Sequence, residues 1–248
     1  MGMVLSEREL ERYDRQLMMG EIGAAGQEKL RKARIAVVGV GGLGSSAAAY
    51  LTAAGVGRIT LVDPDKVELS NLNRQILHGE GDIGRPKVDS ACDSLKALNG
   101  GVDIVKLERK LTRDNAAELL AEADALVDGL DNFAARFVLN EAAAKLRKPY
   151  FHGACRGFEG RVMTVLPGET ACLRCVFPTD PPEQMCPVLG TTPGIIGTML
   201  AMEAIKHLTG AGDLLAGRLL IFDGKSWESR LIRVPKDPAC PVCGGGPR

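Results

Sequence analysis

Short runs rich in β-branched and apolar residues recur along the first half of the chain, at 35–38, 59–62, 102–107 and 125–127. Amphipathic stretches separate or follow them at 43–54, 87–98, 113–121 and 134–146. Runs of that length predict buried strands, and the longer periodic stretches predict helices. Pro86 suits a first helical turn, and Arg113-Asp114-Asn115 offers capping chemistry for the third helix. Strand–helix alternation of this kind predicts an α/β, Rossmann-like, doubly wound sheet that is mainly parallel. The texture changes after Pro149. Runs at 150–153, 160–166, 219–222 and 230–234 predict an antiparallel C-terminal extension, while Ile195, Ile196, Met199, Leu200, Met202, Ile205 and Leu208 mark a core-facing helix. The chain reads as a single domain over 1–248, with a nucleotide-binding core at 33–148 and a second part at 149–248.

Candidate chemistry begins at the end of the first run. Gly39-Val40-Gly41-Gly42-Leu43-Gly44 succeeds 35–38, and glycines at 39, 41 and 44 permit a tight turn, close approach of backbone to phosphate, and packing of the next helix. That helix would present free amides to an anion. Asp63, with Asp65 two positions on, lies where a carboxylate can accept hydrogen bonds from ribose hydroxyls. This much suits NAD, FAD or ATP equally. Three further groups shift the balance: Asn71, Asn73, Arg74 and Gln75 in one segment, Lys87 at a helix start, and Asp131-Asn132 after the run at 125–127. Two cations suit a triphosphate, and a carboxylate at the carboxyl end of a strand suits Mg²⁺. Asp131-Asn132 could equally cap the helix that begins there. A nicotinamide-dependent oxidoreductase would share the glycine turn and Asp63 but would not need Arg74, Lys87 and Asp131 together.

Seven cysteines are an odd number, which argues against a fully paired disulfide framework. Four form two Cys-x-x-Cys pairs, Cys172/Cys175 and Cys240/Cys243. Two such pairs fit a closed tetrahedral Zn²⁺ site, a knuckle tying the C-terminal stretch to the loop after Leu166; a redox disulfide is the other reading. Cys186 stands apart, in a segment with five prolines between Cys175 and Gly194 that reads as an extended loop.

Arg12-Tyr13-Asp14-Arg15-Gln16, the glycine turn, Asp63-Pro64-Asp65, Ser70-Asn71-Leu72-Asn73-Arg74-Gln75, Gly84-Arg85-Pro86-Lys87, Asp131-Asn132 with Arg136, and the two cysteine pairs resemble, in that order, the ThiF/MoeB/HesA family, the prokaryotic relatives of ubiquitin-activating enzymes. The resemblance implies an adenylyltransferase. Its substrate would be a ubiquitin-like sulfur carrier, MoaD- or ThiS-like, whose C-terminal Gly-Gly carboxylate attacks ATP and releases pyrophosphate, in molybdopterin or thiamine biosynthesis. It implies that Gly41 and Gly42 seat phosphates, Asp63 holds the ribose, Asn71, Arg74 and Lys87 contact phosphates, and Asp131 serves Mg²⁺. It further implies that Arg15 reaches the triphosphate of a partner subunit in a homodimer, that residues 149–248 receive the carrier, and that Cys186 is a candidate thiol nucleophile. A separate persulfide donor would supply sulfur. Within the family, activation of a different carboxylate is the alternative.

Composition adds exclusions. Thirty-one basic and 31 acidic residues give no net charge, so nothing points to nucleic acid or a membrane surface. No apolar run approaches the ~20 residues of a membrane span, and the N-terminal stretch is polar and charged, so a cytoplasmic protein is expected.

Overall fold

The structure, a computed structural model, describes residues 5–182 and 187–244. Three helices, α1 (Glu7–Arg12), α2 (Asp14–Leu17) and α3 (Gly23–Lys32), precede the first strand. Then come β1 (Arg34–Val38), α4 (Gly42–Ala53), β2 (Arg58–Val62), α5 (Lys87–Leu98), β3 (Asp103–Leu107), α6 (Ala116–Leu120), β4 (Ala125–Asp128) and α7 (Phe133–Leu146). The remainder is β5 (Tyr150–Arg156), β6 (Glu159–Val165), α8 (Leu173–Val176), α9 (Thr191–Thr209), β7 (Arg218–Asp223) and β8 (Glu228–Arg233).

One sheet holds all eight strands in the order β3-β2-β1-β4-β5-β6-β7-β8. Pairings from β3 through β5 are parallel, and those from β5 to β8 are antiparallel. The parallel part is covered on both faces, which is why its strands read as near-continuous apolar runs. In β1, Ile35 and Val37 enter one core with Leu51 of α4, Leu95 of α5 and Leu200 of α9. Ala36 and Val38 enter the opposite core with Leu120 of α6 and Phe137 and Leu139 of α7. Strand order reverses between β1 and β4, so a crevice opens at their carboxyl ends, the place where open α/β sheets bind ligands.

Two local expectations are corrected. The third predicted helix shrinks to α6, because Asn115 turns its Oδ1 back to the Thr112 amide (2.8 Å) and gives no side-chain cap. The last helix starts earlier than its apolar stripe, at Thr191, with Pro193 in its first turn. Among the described residues no helix is long and apolar enough to cross a membrane.

Candidate functional site

Four segments meet at the carboxyl ends of β1, β2 and β4. The first is the glycine turn. Gly39 has φ +90°, and a Cβ there would stand 2.6 Å from the Gly129 carbonyl, so the turn after β1 and the turn after β4 lie backbone to backbone. Gly41 is the N-cap of α4 and offers no side-chain cap. A Cβ on Gly41 would meet nothing closer than 3.8 Å, where Gln75 Nε2 and the Gly129 carbonyl stand. The first-turn amides of a 12-residue helix thus face a space lined by backbone and one buried amide side chain. Gln75 is buried, and its Oε1 has no hydrogen-bond partner. Uncapped amides fit an anionic group, and the orphaned carbonyl calls for a hydrogen-bond donor on the same polar ligand.

Buried side chains hold both backbone groups of Val40 in place. Its amide donates to Asp63 Oδ2 (2.7 Å), and its carbonyl faces His78 Nε2 at 3.3 Å. Asp63 Oδ1 accepts from the Asp65 amide (2.9 Å). One carboxylate oxygen therefore braces the glycine turn and the other the Asp63–Asp65 segment, each keeping a second lone pair for another donor. Burial pushes the Asp63 carboxyl above the ordinary range, against the lowering effect of Lys87 and the two amides. Lys87, at the start of α5, is buried up to its ammonium group, which lies 2.9 Å from Oδ2 of exposed Asp65.

The third segment, around 69–75, packs on the glycine turn: a Cβ at Gly42 would lie 3.4 Å from the Arg74 carbonyl. Asn71 is buried and accepts from the Glu68 amide (3.1 Å), so its side chain shapes the segment. Arg74 Nη1 donates to the Ser70 carbonyl (2.8 Å) and to Oδ1 of exposed Asn73 (3.1 Å). The fourth segment is 128–132. Asn132 caps α7 through the Ala135 amide (2.9 Å), while the carboxylate of Asp131 stays exposed and accepts from Asn132 Nδ2 (3.1 Å).

Beneath Asp131 lies a polar cluster of which the sequence motifs named Arg136 alone. Asp128 is fully buried and accepts from Tyr150 Oη (2.6 Å) and His152 Nδ1 (2.7 Å), with Arg136 Nε 3.5 Å away. Burial works to raise the Asp128 carboxyl, but Arg136, His152 and Tyr150 outweigh it and hold the group below the usual carboxylate range. Burial pushes His152 below its ordinary value, although Asp128 pulls the other way. Asp128 ends an apolar strand, and its partners come from α7 and β5, 8 to 24 positions along; no local spacing signals them.

Two groups sit away from this crevice. Arg15 lies between Tyr13 and Gln16, which dock at the far end of α4: Gln16 Nε2 donates to the Ala54 carbonyl (3.1 Å), and Asn99 Nδ2 bridges Tyr13 Oη and the Thr52 carbonyl, both at 2.9 Å. The four cysteine sulfurs lie within 4.8 Å of one another. Cys172 and Cys240 approach to 3.6 Å, and Cys175 and Cys243 to 3.3 Å. A tetrahedron of thiolates at ~2.3 Å from Zn²⁺ has edges of about 3.8 Å, so the set is compatible with zinc. The short contacts join one pair to the other, as a shared centre requires. Cys186 lies outside the described residues.

A profile of the ThiF family matches residues 13–242, from the N-terminal helices to the second cysteine pair. The chain belongs to the ThiF family. Other members are close in sequence. The chain is 43% identical over 253 residues to the sulfur carrier protein adenylyltransferase of Thermus thermophilus, covering 98% of this chain and 93% of that one. It is 40% identical over 252 residues to the SAMP-activating enzyme E1 of Haloferax volcanii, covering 99% and 93%. It is 44% identical over 250 residues to the adenylyltransferase and sulfurtransferase MOCS3 of Anopheles gambiae, covering 98% of this chain but 57% of that one; the chain spans about half the length of its MOCS3 relatives. Among solved structures, Escherichia coli MccB with MccA-N7isoAsn shares the ThiF-family fold at a TM-score of 0.86 and 20% identity, covering 97% and 76% of the two chains.

Proposed function

We propose that this chain adenylylates the C-terminal Gly-Gly carboxylate of a ubiquitin-like sulfur carrier. What supports the reading is convergence: the uncapped turn of α4 and the segments that carry Arg74, Lys87 and Asp131 meet at the carboxyl ends of β1, β2 and β4. The relatives' names point the same way, two of them over nearly their whole length. In this reading the carrier's terminal oxygen attacks the α-phosphorus of ATP, the bond to the β-phosphate's bridging oxygen breaks, and pyrophosphate leaves. The nucleophile is already ionised at neutral pH, so no general base is required. Rate comes from alignment and from charge placed where the phosphates need it. The α4 amides and Gln75 seat phosphates, Asp63 receives a ribose hydroxyl on its spare lone pairs, and Lys87 exchanges Asp65 for phosphate oxygens. Exposed Asp131 supplies a hard oxygen ligand for Mg²⁺, which when bound neutralises phosphate charge. Zn²⁺ at the four cysteines would be structural, with no open position for chemistry. The sulfur comes from a separate persulfide donor.

The test is ATP–pyrophosphate exchange with Mg²⁺ and purified Gly-Gly-ended carriers of the molybdopterin and thiamine pathways in separate reactions. Exchange with one carrier, abolished by deleting its last glycine, is the expected result. No exchange with either would sink the reading.

Arg15 enters through geometry. Helix α4 is about 18 Å long at 1.5 Å per residue, and the glycine turn and the Arg15 anchor lie at opposite ends of it. An arginine side chain cannot span that length, so the triphosphate that the family resemblance assigns to Arg15 would be that of a second copy of the chain. Accordingly, Arg15→Ala and Lys87→Ala, each inactive alone, should recover up to about one quarter of wild-type exchange when mixed under subunit-exchange conditions. That fraction reflects one intact site in the half of dimers that are mixed. Failure of the mixture to recover activity, with dimers exchanging, would place Arg15 elsewhere.

A further inference from the structure

Asp131 is the last residue of a short turn whose backbone is held from below. The Leu130 amide donates to Asp128 Oδ1 (3.0 Å), and the Leu130 carbonyl accepts from Arg136 Nη2 (2.6 Å). The same two side chains face each other at 3.5 Å, with Asp128 fully buried and Arg136 5% exposed. One residue earlier, the Gly129 amide donates to the Val38 carbonyl (2.8 Å). A Cβ at Gly129 would sit 2.0 Å from the Gly39 oxygen, so this peptide has nowhere to shift. Tyr150 and His152 of β5 then fix Asp128 itself through Oδ2. The turn from Gly129 to Leu130 is thus tied to buried partners, and the first exposed carboxylate beyond it is that of Asp131.

We propose that the Asp128–Arg136 pair, locked by Tyr150 and His152, is a positioning device that sets the direction of the Asp131 carboxylate toward Mg²⁺-bound nucleotide. The proposal rests on the adenylyltransferase reading. A purely structural account is weaker. Buried ion pairs are often replaceable by apolar residues without loss of stability, so four buried polar groups around one peptide imply a demand for defined geometry. Groups that orient metal-binding side chains commonly cost 10- to 100-fold in metal affinity or activity when changed.

The test is equilibrium binding of a fluorescent ATP analogue with and without Mg²⁺, beside the Mg²⁺ concentration giving half-maximal exchange. Asp128→Asn keeps an acceptor for the Leu130 amide but removes the charge that holds Arg136. Expected is a fall of about tenfold in the affinity gained on adding Mg²⁺, and a matching rise in half-saturating Mg²⁺. Nucleotide binding in EDTA should stay within about twofold, because Asp63 and the α4 amides are untouched. His152→Leu, which removes one donor at milder risk to folding, should shift the same quantities less, and His152→Gln, which keeps a donor, should restore them. Equal losses with and without Mg²⁺ would reduce the cluster to a structural role and overturn the proposal. So would folded variants that match wild type in both measurements. Wild-type protein that neither exchanges pyrophosphate with any Gly-Gly carrier nor binds nucleotide would fell the functional reading, and the proposal with it.

Discussion

Replacing Lys87 with alanine should lower ATP–pyrophosphate exchange by about 10²- to 10³-fold while leaving the melting temperature within a few degrees of wild type. The magnitude comes from removing one preorganised charge from a reaction that runs on electrostatic stabilisation, about 2.7–4 kcal/mol in the transition state. The small stability cost comes from the pairing. Asp65, the carboxylate bonded to Lys87, is 63% exposed, so water satisfies it once the ammonium is gone, and buried Asp63 keeps the Val40 and Asp65 amides as donors. Asp65→Asn separates the two roles of the pair: it frees Lys87 without removing it, and exchange should persist within about tenfold. A K87A protein with near wild-type exchange would sink the assignment of that cation. Arg74→Ala is a less clean probe, because its guanidinium also ties down the Ser70 carbonyl and Asn73.

How much of the fold is legible in the sequence depends on where each residue's partner lies. Strands β1, β2 and β4 announce themselves because both of their faces are covered, so Ile35–Val38 and Ala125–Val127 leave no polar interruption. The antiparallel extension is legible in kind, and its boundaries move by at most three residues: β5 runs on to Arg156, β6 begins at Glu159 and β8 at Glu228. Helices α1 to α3 escape because polar side chains hold them on. Gln16, Gln27 and Tyr13 bond to the end of α4 and to Asn99, and no apolar stripe marks those contacts.

The site divides along the same line. Asp63, Lys87 and Asp131 stand at strand or helix ends, where position alone suggests a ligand, and the fold brings them to one crevice. Asp128 gives no such signal. It completes an apolar strand and reads as the strand's polar terminus, while its meaning lies in its pairing with Arg136, which the motif named without a partner, and with His152, and only the fold delivers those pairings. The cap expected at Asp131-Asn132 is present, and it is Asn132 that provides it and not Asp131.

Stripping metal from the four cysteines should lower the melting temperature by ~6–12 °C and leave nucleotide binding intact below the new transition. Zinc-thiolate sites in small domains supply about 10–16 kcal/mol of folding free energy, but here most of the domain folds without them. A loss of about 3 kcal/mol, confined to the tail and its contacts, converts at ~2–4 °C per kcal/mol for a chain of this size. Cys172 and Cys240 lie in the core shared with α6 and α7, where the Leu173 amide donates to Asn140 of α7 (2.9 Å). The glycine turn leads into α4, on the opposite face of the sheet. Loosening the cysteine end of the α7 layer should therefore spare the nucleotide contacts of the α4 amides, Asp63 and Lys87 on the other face. Metal analysis should give one zinc per chain, and Cys240→Ser should reproduce the effect of chelation. A melting temperature that responds to reductant and not to chelator would turn the reading to a redox disulfide instead. The contacts between the two pairs make zinc the better fit, because four sulfurs drawn around a common point need a cation at that point more than they need one another.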